Sequence, residues 1–321
     1  MVVPVDRPDP AAAMWENLPV DTELGPLETT ISDHDVKGYC YAVDDFHPWY
    51  MHHSPFGGRV VPPALLSVAL FKLRHLPGNF TLMHGLHTRE ELQLFRAVRL
   101  GEPVTLRARV TDKFTKRGER FIVVSGQVSD DRDRPLLRTR QTQLLRKNVE
   151  RIVGRRTARP TEHVVNGAIA DGARLAAAYP RAEIGAILPA LTKHVTFEQM
   201  TVFSFGPRTI HTDRQVAIES GLAGPIAQGL MSTCYLSEML VNFFGAAWFD
   251  SGWTSHAFIK PVASGDTLTV HGRIRDTQVE TRGTRVLLDV WCRNQAKELT
   301  TVGSAGALVN SGHLCSVRSR A

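Results

Sequence analysis

Two stretches of the chain are apolar at almost every position, and each is followed by a run in which apolar and polar residues alternate. The longer one follows the segment Gly224-Pro225-Ile226-Ala227-Gln228-Gly229 and carries Leu230, Cys234, Leu236, Leu240, Val241 and Phe244. With Ile226 these positions leave hardly any helical face polar. Such a helix is normally buried and wrapped by other structure. Pro225 predicts its first turn, where the missing N–H would be unpaired anyway, and Gly245 predicts its end. The shorter stretch, SPFGGRVVPPALLSVALFKL, predicts a glycine-marked turn and then a helix from about Pro62 to Leu73.

After the shorter helix, positions 84–145 read as strands. Period-2 alternation is plain in VTLRARV and FIVVSGQV, with turns at KRGE and DDRD. From about Leu191 the pattern recurs. Ser54-Pro-Phe-Gly-Gly lines up with Ser220-Gly-Leu-Ala-Gly, and the segment ending Gly101-Glu102 with the one ending Gly265-Asp266. The turn Lys116-Arg117-Gly118 lines up with Thr281-Arg282-Gly283. Three matches in one order imply a duplication, each copy being a turn, an apolar helix and a set of antiparallel strands. An amphipathic sheet wrapped on an apolar helix is an α+β arrangement that buries both. Two copies paired edge to edge would also hide exposed strand edges. The expected segments are a loose arm over 1–25, a first module over 26–147, a connection over 148–190, a second module over 191–311 and a tail over 312–321.

Composition narrows the function classes. Hydrophobic residues make up 43% of the 321 positions, enough for a sizeable core. The cysteines Cys40, Cys234, Cys292 and Cys315 are scattered without metal-ligand or redox-pair spacing, which implies reduced thiols and a cytoplasmic location. The first ten residues, MVVPVDRPDP, lack the apolar core of a signal peptide, and no apolar run is long enough to span a bilayer. The net charge of +6 is dispersed and not interleaved with aromatic residues. That argues against nucleic acid and fits a substrate carried on a polyanion such as coenzyme A or acyl carrier protein. A homodimer is compatible with all of this.

The second half resembles the MaoC-like hydratase/dehydratase family of hot-dog folds, and the whole chain resembles its fused double hot-dog form. The residues that carry the likeness are Ile210-His211-Thr212-Asp213, Gly224 to Gly229, Phe258-Ile259-Lys260-Pro261-Val262 and Gly265-Asp266. The first half is similar to a degenerate module of the family through Asp45-Phe46-His47-Pro48-Trp49-Tyr50, Phe56-Gly57-Gly58 and Pro62-Pro63. The family's catalytic signature is an Asp, then Asn-Pro, then a His five residues after the Asp. His211 holds the histidine position, but Gly206, Arg208 and Thr209 stand at the other three, and Gln228 stands where a histidine usually precedes the helix-start glycine. In the first half Asp45 survives and Tyr50 replaces the histidine.

The resemblance implies reversible, (R)-specific addition of water across the α,β double bond of an acyl thioester, with no cofactor and no metal. Removing the weakly acidic α-proton requires an oxyanion donor and a base. The Gly229 N–H is the candidate donor, because without a Cβ a thioester carbonyl can approach closely. His211 is the candidate acid/base. Several residues carry two readings each. Asp213 either assists His211 or caps the segment 214–219. Arg208 stands in for the missing carboxylate or grips an acidic substrate, or is a surface arginine. Gln228 donates to the carbonyl or caps its own helix. Asp45, His47 and Tyr50 line a pocket or are structural, and Ser232 is core. His52 and His53 are solvated and lack further ligands at metal spacing, while Asp266 shapes a turn. Three alternatives to the lyase remain: a non-catalytic acyl-thioester binding or partner subunit, an altered isomerase or cyclase, and a thioesterase using Glu238, the one acid on the longer helix.

Overall fold

The computed structural model describes residues 15–16, 18–75, 85–145, 183–204 and 208–309. The first half supplies β1 (Glu23–Thr30), α1 (Asp33–Val43), α2 (Pro48–Met51) and α3 (Pro63–Ala69), which runs into a 3-10 helix at Leu70–His75. It continues with β2 (Gly85–Leu94), β3 (Pro103–Lys116), β4 (Glu119–Ser129) and β5 (Pro135–Leu145). The second half supplies β6 (Leu191–His194), α4 (Phe197–Phe203), α5 (Arg214–Glu219), α6 (Gly229–Phe244) and α7 (Ala246–Ser251). It ends with β7 (Trp253–Phe258), β8 (Thr267–Glu280), β9 (Gly283–Arg293) and β10 (Leu299–Val309).

All ten strands form one sheet in the order β1-β3-β4-β5-β2-β7-β10-β9-β8-β6. The order reads the same from either edge once each strand is replaced by its counterpart in the other half. β3 and β8 are each 14 residues long, and β4, β5, β9 and β10 are each 11. The duplication read from the turns is therefore a duplication of strand lengths and pairing. The halves meet where β2 pairs antiparallel with β7, Glu90 lying opposite His256. The equivalence that matches Ser54 with Ser220 also matches Glu90 with His256, so a pseudo-twofold axis runs between these two residues. The sheet closes around both apolar helices as a double hot-dog fold.

Why these residues make these elements is direct at the centre. Every residue of α6 is buried except Gly229, Glu238 and Asn242. That matches an apolar run with no polar face. Gly245 terminates the helix with φ +57°, a conformation that disfavours any residue with a Cβ. The turn between β3 and β4 places Arg117 (φ 55°) and Gly118 (φ 78°) in the left-handed region, as a two-residue hairpin requires.

Two expectations fail. Helix α6 opens at Gly229, not at Gly224-Pro225: Ala227 donates to Val262 O (2.8 Å) and Ser264 donates to Pro225 O (3.1 Å), so this segment is extended and held by the loop after β7. The expected arm over 1–25 is too long. Leu18 is buried and β1 begins at Glu23, pairing with Arg109 as an edge strand, where Pro26 is tolerated. Most of the 148–190 connection, the tail 312–321 and Gly206 lie outside the described residues.

Candidate functional site

The segment 208–213 and the tip of α6 are laced together by backbone. Ile226 N–H donates to Ile210 O (3.2 Å), and Asp213 N–H donates to Thr209 O (3.0 Å). His211 N–H donates to Thr209 Oγ1 (3.1 Å), which fixes the residue's orientation from below. Its ring reaches across the loop, with Nδ1 2.7 Å from Ile226 O. A carbonyl can only accept, so Nδ1 carries the proton and Nε2 presents its lone pair. Burial moves the His211 pKa down to about 4, opposed only by the bond to Ile226. The imidazole is neutral near pH 7, which suits a base.

Gly229 is the first residue of α6, so its N–H has no partner within the helix. A Cβ built on Gly229 would lie 3.0 Å from Cδ2 and Cε2 of Phe258. The ring of Phe258 thus rests directly on the helix tip. Its edges meet His87 (centroids 4.9 Å apart) and His256 (5.2 Å). His256 Nε2 is 2.9 Å from Thr233 Oγ1. The same device recurs in the first half, where Ser67 Oγ donates to Glu90 Oε1 (2.8 Å). Both pairs tie the apolar helix of a module to the strand at the seam, and both span 23 residues of sequence.

The remaining residues singled out from sequence separate clearly. Asp213 caps α5, its Oδ1 accepting from Gln215 N–H (2.8 Å) and Val216 N–H (3.1 Å). Those bonds, with Arg208, hold its carboxyl below the usual range. Arg208 is exposed and its Nε donates to Asp213 Oδ2 (3.0 Å). Gln228 does not cap its helix; its Nε2 donates to Ser204 Oγ (3.0 Å) at the end of α4. Ser204 lies in no recognisable sequence motif. Asp266 shapes the turn before β8, accepting from Ala263 N–H (2.8 Å), and Ser232 is core. His52 and His53 are exposed.

Asp45 and Tyr50 do not line a pocket beside His211. Both are buried in a closed cluster between the halves. Lys193 on β6 donates to Asp44 O (2.6 Å) and pairs with Glu238 on α6 (2.6 Å). Burial pushes the carboxyls of Asp45 and Glu238 up, and the Lys193 ammonium pulls both back down. Two acids therefore share one cation at the module boundary. A groove of about 380 Å³ lies elsewhere, between β1, β3, β4 and β5. Its arginines are already engaged: Arg107 with Asp133, Arg109 with Asp21 and Arg138 with Gln127.

Comparison with known proteins bears on the two halves and on the fold. A MaoC like domain matches residues 181–290, and a FAS1-like, dehydratase domain region matches residues 20–139. The two matches fall one on each half of the sheet. The second half thus carries a MaoC like domain and the first half a FAS1-like dehydratase region, and the solved structures similar to the whole chain include MaoC-like double hot-dog proteins. No curated protein sequence matches the chain. Among solved structures, one described as a MaoC-like dehydratase is 15% identical, with a TM-score of 0.69 over 91% of this chain and 98% of that one. A MaoC-like dehydratase from Phytophthora capsici is 15% identical, with a TM-score of 0.63 over 91% and 96%. A conserved hypothetical protein from Mycobacterium tuberculosis, described as having a double hotdog fold, is 15% identical, with a TM-score of 0.63 over 92% and 97%. Among the described residues no helix is long and apolar enough to cross a membrane.

Proposed function

We propose that the protein is a hydro-lyase that adds or removes water at the α,β-position of an acyl thioester carried by coenzyme A or acyl carrier protein. His211 is its acid/base and the Gly229 N–H its oxyanion donor. One observation carries the reading: the His211 Nδ1–H is committed to Ile226 O at 2.7 Å, which leaves the Nε2 lone pair free to take a proton. In dehydration Nε2 takes the α-proton, while the enolate-like oxygen accepts from the N–H at the start of α6. A preorganised donor of this kind contributes about 3 kcal/mol to the transition state. The dipole at the start of the helix adds to it.

A thioesterase would need a free carboxylate on the helix, and Glu238 is committed to Lys193. The buried free thiols of Cys40, Cys234 and Cys292 accord with a reducing, cytoplasmic setting. The mildly basic chain accords with a phosphate-bearing carrier. The test is a panel of enoyl- and 3-hydroxyacyl-thioesters on both carriers, followed by loss or gain of enone absorbance. The reading expects turnover that His211→Ala abolishes. Turnover unchanged in His211→Ala removes the assigned base, and no turnover of any thioester leaves the binding-subunit reading.

A further inference from the structure

A water-addition site needs two proton movements, one at the α-carbon and one at the oxygen. Among the described residues of the 208–213 loop, only His211 offers a free basic atom, and the family's carboxylate position is Gly206. Here the N-terminal half reaches the site. The register of β2 against β5 shifts between His87 and Arg89, a bulge of the kind that re-aims a side chain. The bulge turns the His87 ring onto Phe258, the same ring that rests on Gly229. The residue before it, Leu86, packs in one cluster with Ile210 and Ile226. Ile210 precedes His211 in the loop, and Ile226 O accepts the hydrogen bond of the His211 ring. The start of β2 therefore packs on the histidine loop through Leu86 and reaches the helix tip through the Phe258 ring.

His87 is also oriented as an acid/base would be. Its Nε2 lies 2.9 Å from Arg89 O and 3.1 Å from Glu90 Oε2. The carbonyl fixes the proton on Nε2 and leaves Nδ1 to exchange. Glu90 is wholly buried and is itself held by Ser67. The equivalent residue in the other half, His256, satisfies the same helix tether with an imidazole. The tether alone thus does not demand a carboxylate, and Glu90 serves His87.

We propose that His87, backed by Glu90, is a second catalytic residue of this site, supplied by the N-terminal module in place of the missing carboxylate. The proposal rests on the hydro-lyase reading above. In dehydration the C2–H bond breaks and its proton passes to His211 Nε2, while the electron pair forms C2=C3. The C3–O bond breaks, and the departing oxygen takes a proton from the His87 imidazolium and leaves as water. Hydration is the reverse, with His87 taking a proton from the attacking water and His211 returning one to C2. The Glu90 carboxylate stabilises the imidazolium as it forms. Gln143 lies directly opposite His87 on β5, and Arg89 and the neutral His256 are further titratable groups nearby.

The test compares wild type, His87→Ala, His87→Gln, Glu90→Gln and His211→Ala on the same thioester panel across pH. Loss of a positioned acid/base typically costs 10²–10⁴-fold. His87→Ala and His87→Gln are expected to lower kcat by about 10²-fold or more at near-constant KM and to lose one limb of the pH profile. Free imidazole should partly restore His87→Ala, which a packing defect would not allow. Glu90→Gln should fall in the same direction by less. Wild-type kcat and pH profile in both His87 variants, with His211→Ala inactive, overturn the role of His87 and leave the lyase standing. A wild-type protein that turns over nothing overturns both. Should His87→Ala fail to fold, the His87 ring signals in the NMR spectrum of wild type decide: movement on adding a saturated acyl thioester supports contact, and no movement overturns it.

Discussion

Gly229→Ala is the perturbation most revealing of how the helix tip works, because two effects of opposite sign meet there. Alanine is preferred over glycine inside a helix by up to about 1 kcal/mol, and less at the first residue, where the chain is only partly ordered. Against that, the new methyl would sit 3.0 Å from two carbons of Phe258 and 3.2 Å from a third. The ring cannot slide away freely, since His87 lies on one edge and His256, buried and bonded to Thr233, on another. Overpacking a well-filled position costs about 1–3 kcal/mol, so the clash wins and the variant should be less stable by about 1–2 kcal/mol. The methyl would also stand beside the N–H assigned to the oxyanion. Loss of such a donor lowers kcat by about 10²-fold. Denaturant unfolding at constant m, with thioester hydration measured in parallel, reads both. Phe258→Leu in the same chain should recover part of the stability, giving a non-zero coupling. A more stable Gly229→Ala with wild-type kcat would refute the reasoning.

Three further outcomes follow from the same contacts. Lys193→Met removes the cation between Asp44 O and Glu238 and leaves two buried carboxyls facing each other; breaking a buried pair this way costs about 3–5 kcal/mol, read by chemical denaturation. Burial lowers the folded-state pKa of His211 and His271 to about 4 and that of His256 to about 3, from 6.5. The unfolded chain binds those protons more readily, so the contribution of these rings is complete above about pH 6.5 and is lost as pH drops toward 4, by up to about 1.4 kcal/mol per pH unit for each ring, while the raised carboxyls of Asp45 and Glu238 act in the opposite sense up to about pH 8; melting temperatures between pH 4 and 6.5, where the three rings outnumber the two acids, check the sign. Arg208→Ala loses only an exposed ion pair to Asp213 and should change stability by less than about 1 kcal/mol, with calorimetry as the measure.

What the sequence displayed well was periodic or local. The alternation in β3 and β4, the all-apolar α6, the stop at Gly245 and the cap at Asp213 depend on neighbours a few residues away. The doubled turns showed the duplication, and the strand order makes its consequence visible as one ten-stranded sheet. Long-range pairing hid the rest. Nothing near Pro225 reveals that Val262 and Ser264 will hold that segment extended. Gly25-Pro26 interrupts the alternation of β1, which is a strand because β3 offers it an edge. Asp45 and Tyr50 match a motif, yet Lys193 and Glu238 from the other half close around Asp45. His87 owes its aim to a bulge, and a bulge is visible only once β5 is in register beside it.

The account turns on proton transfer at the α-carbon by His211. The direct measurement is exchange of the α-hydrogens of a 3-hydroxyacyl thioester in D₂O, followed by NMR. Wild type should exchange one of the two α-hydrogens stereospecifically, and His211→Ala should exchange neither above the uncatalysed rate. Equal exchange by the two proteins would contradict it.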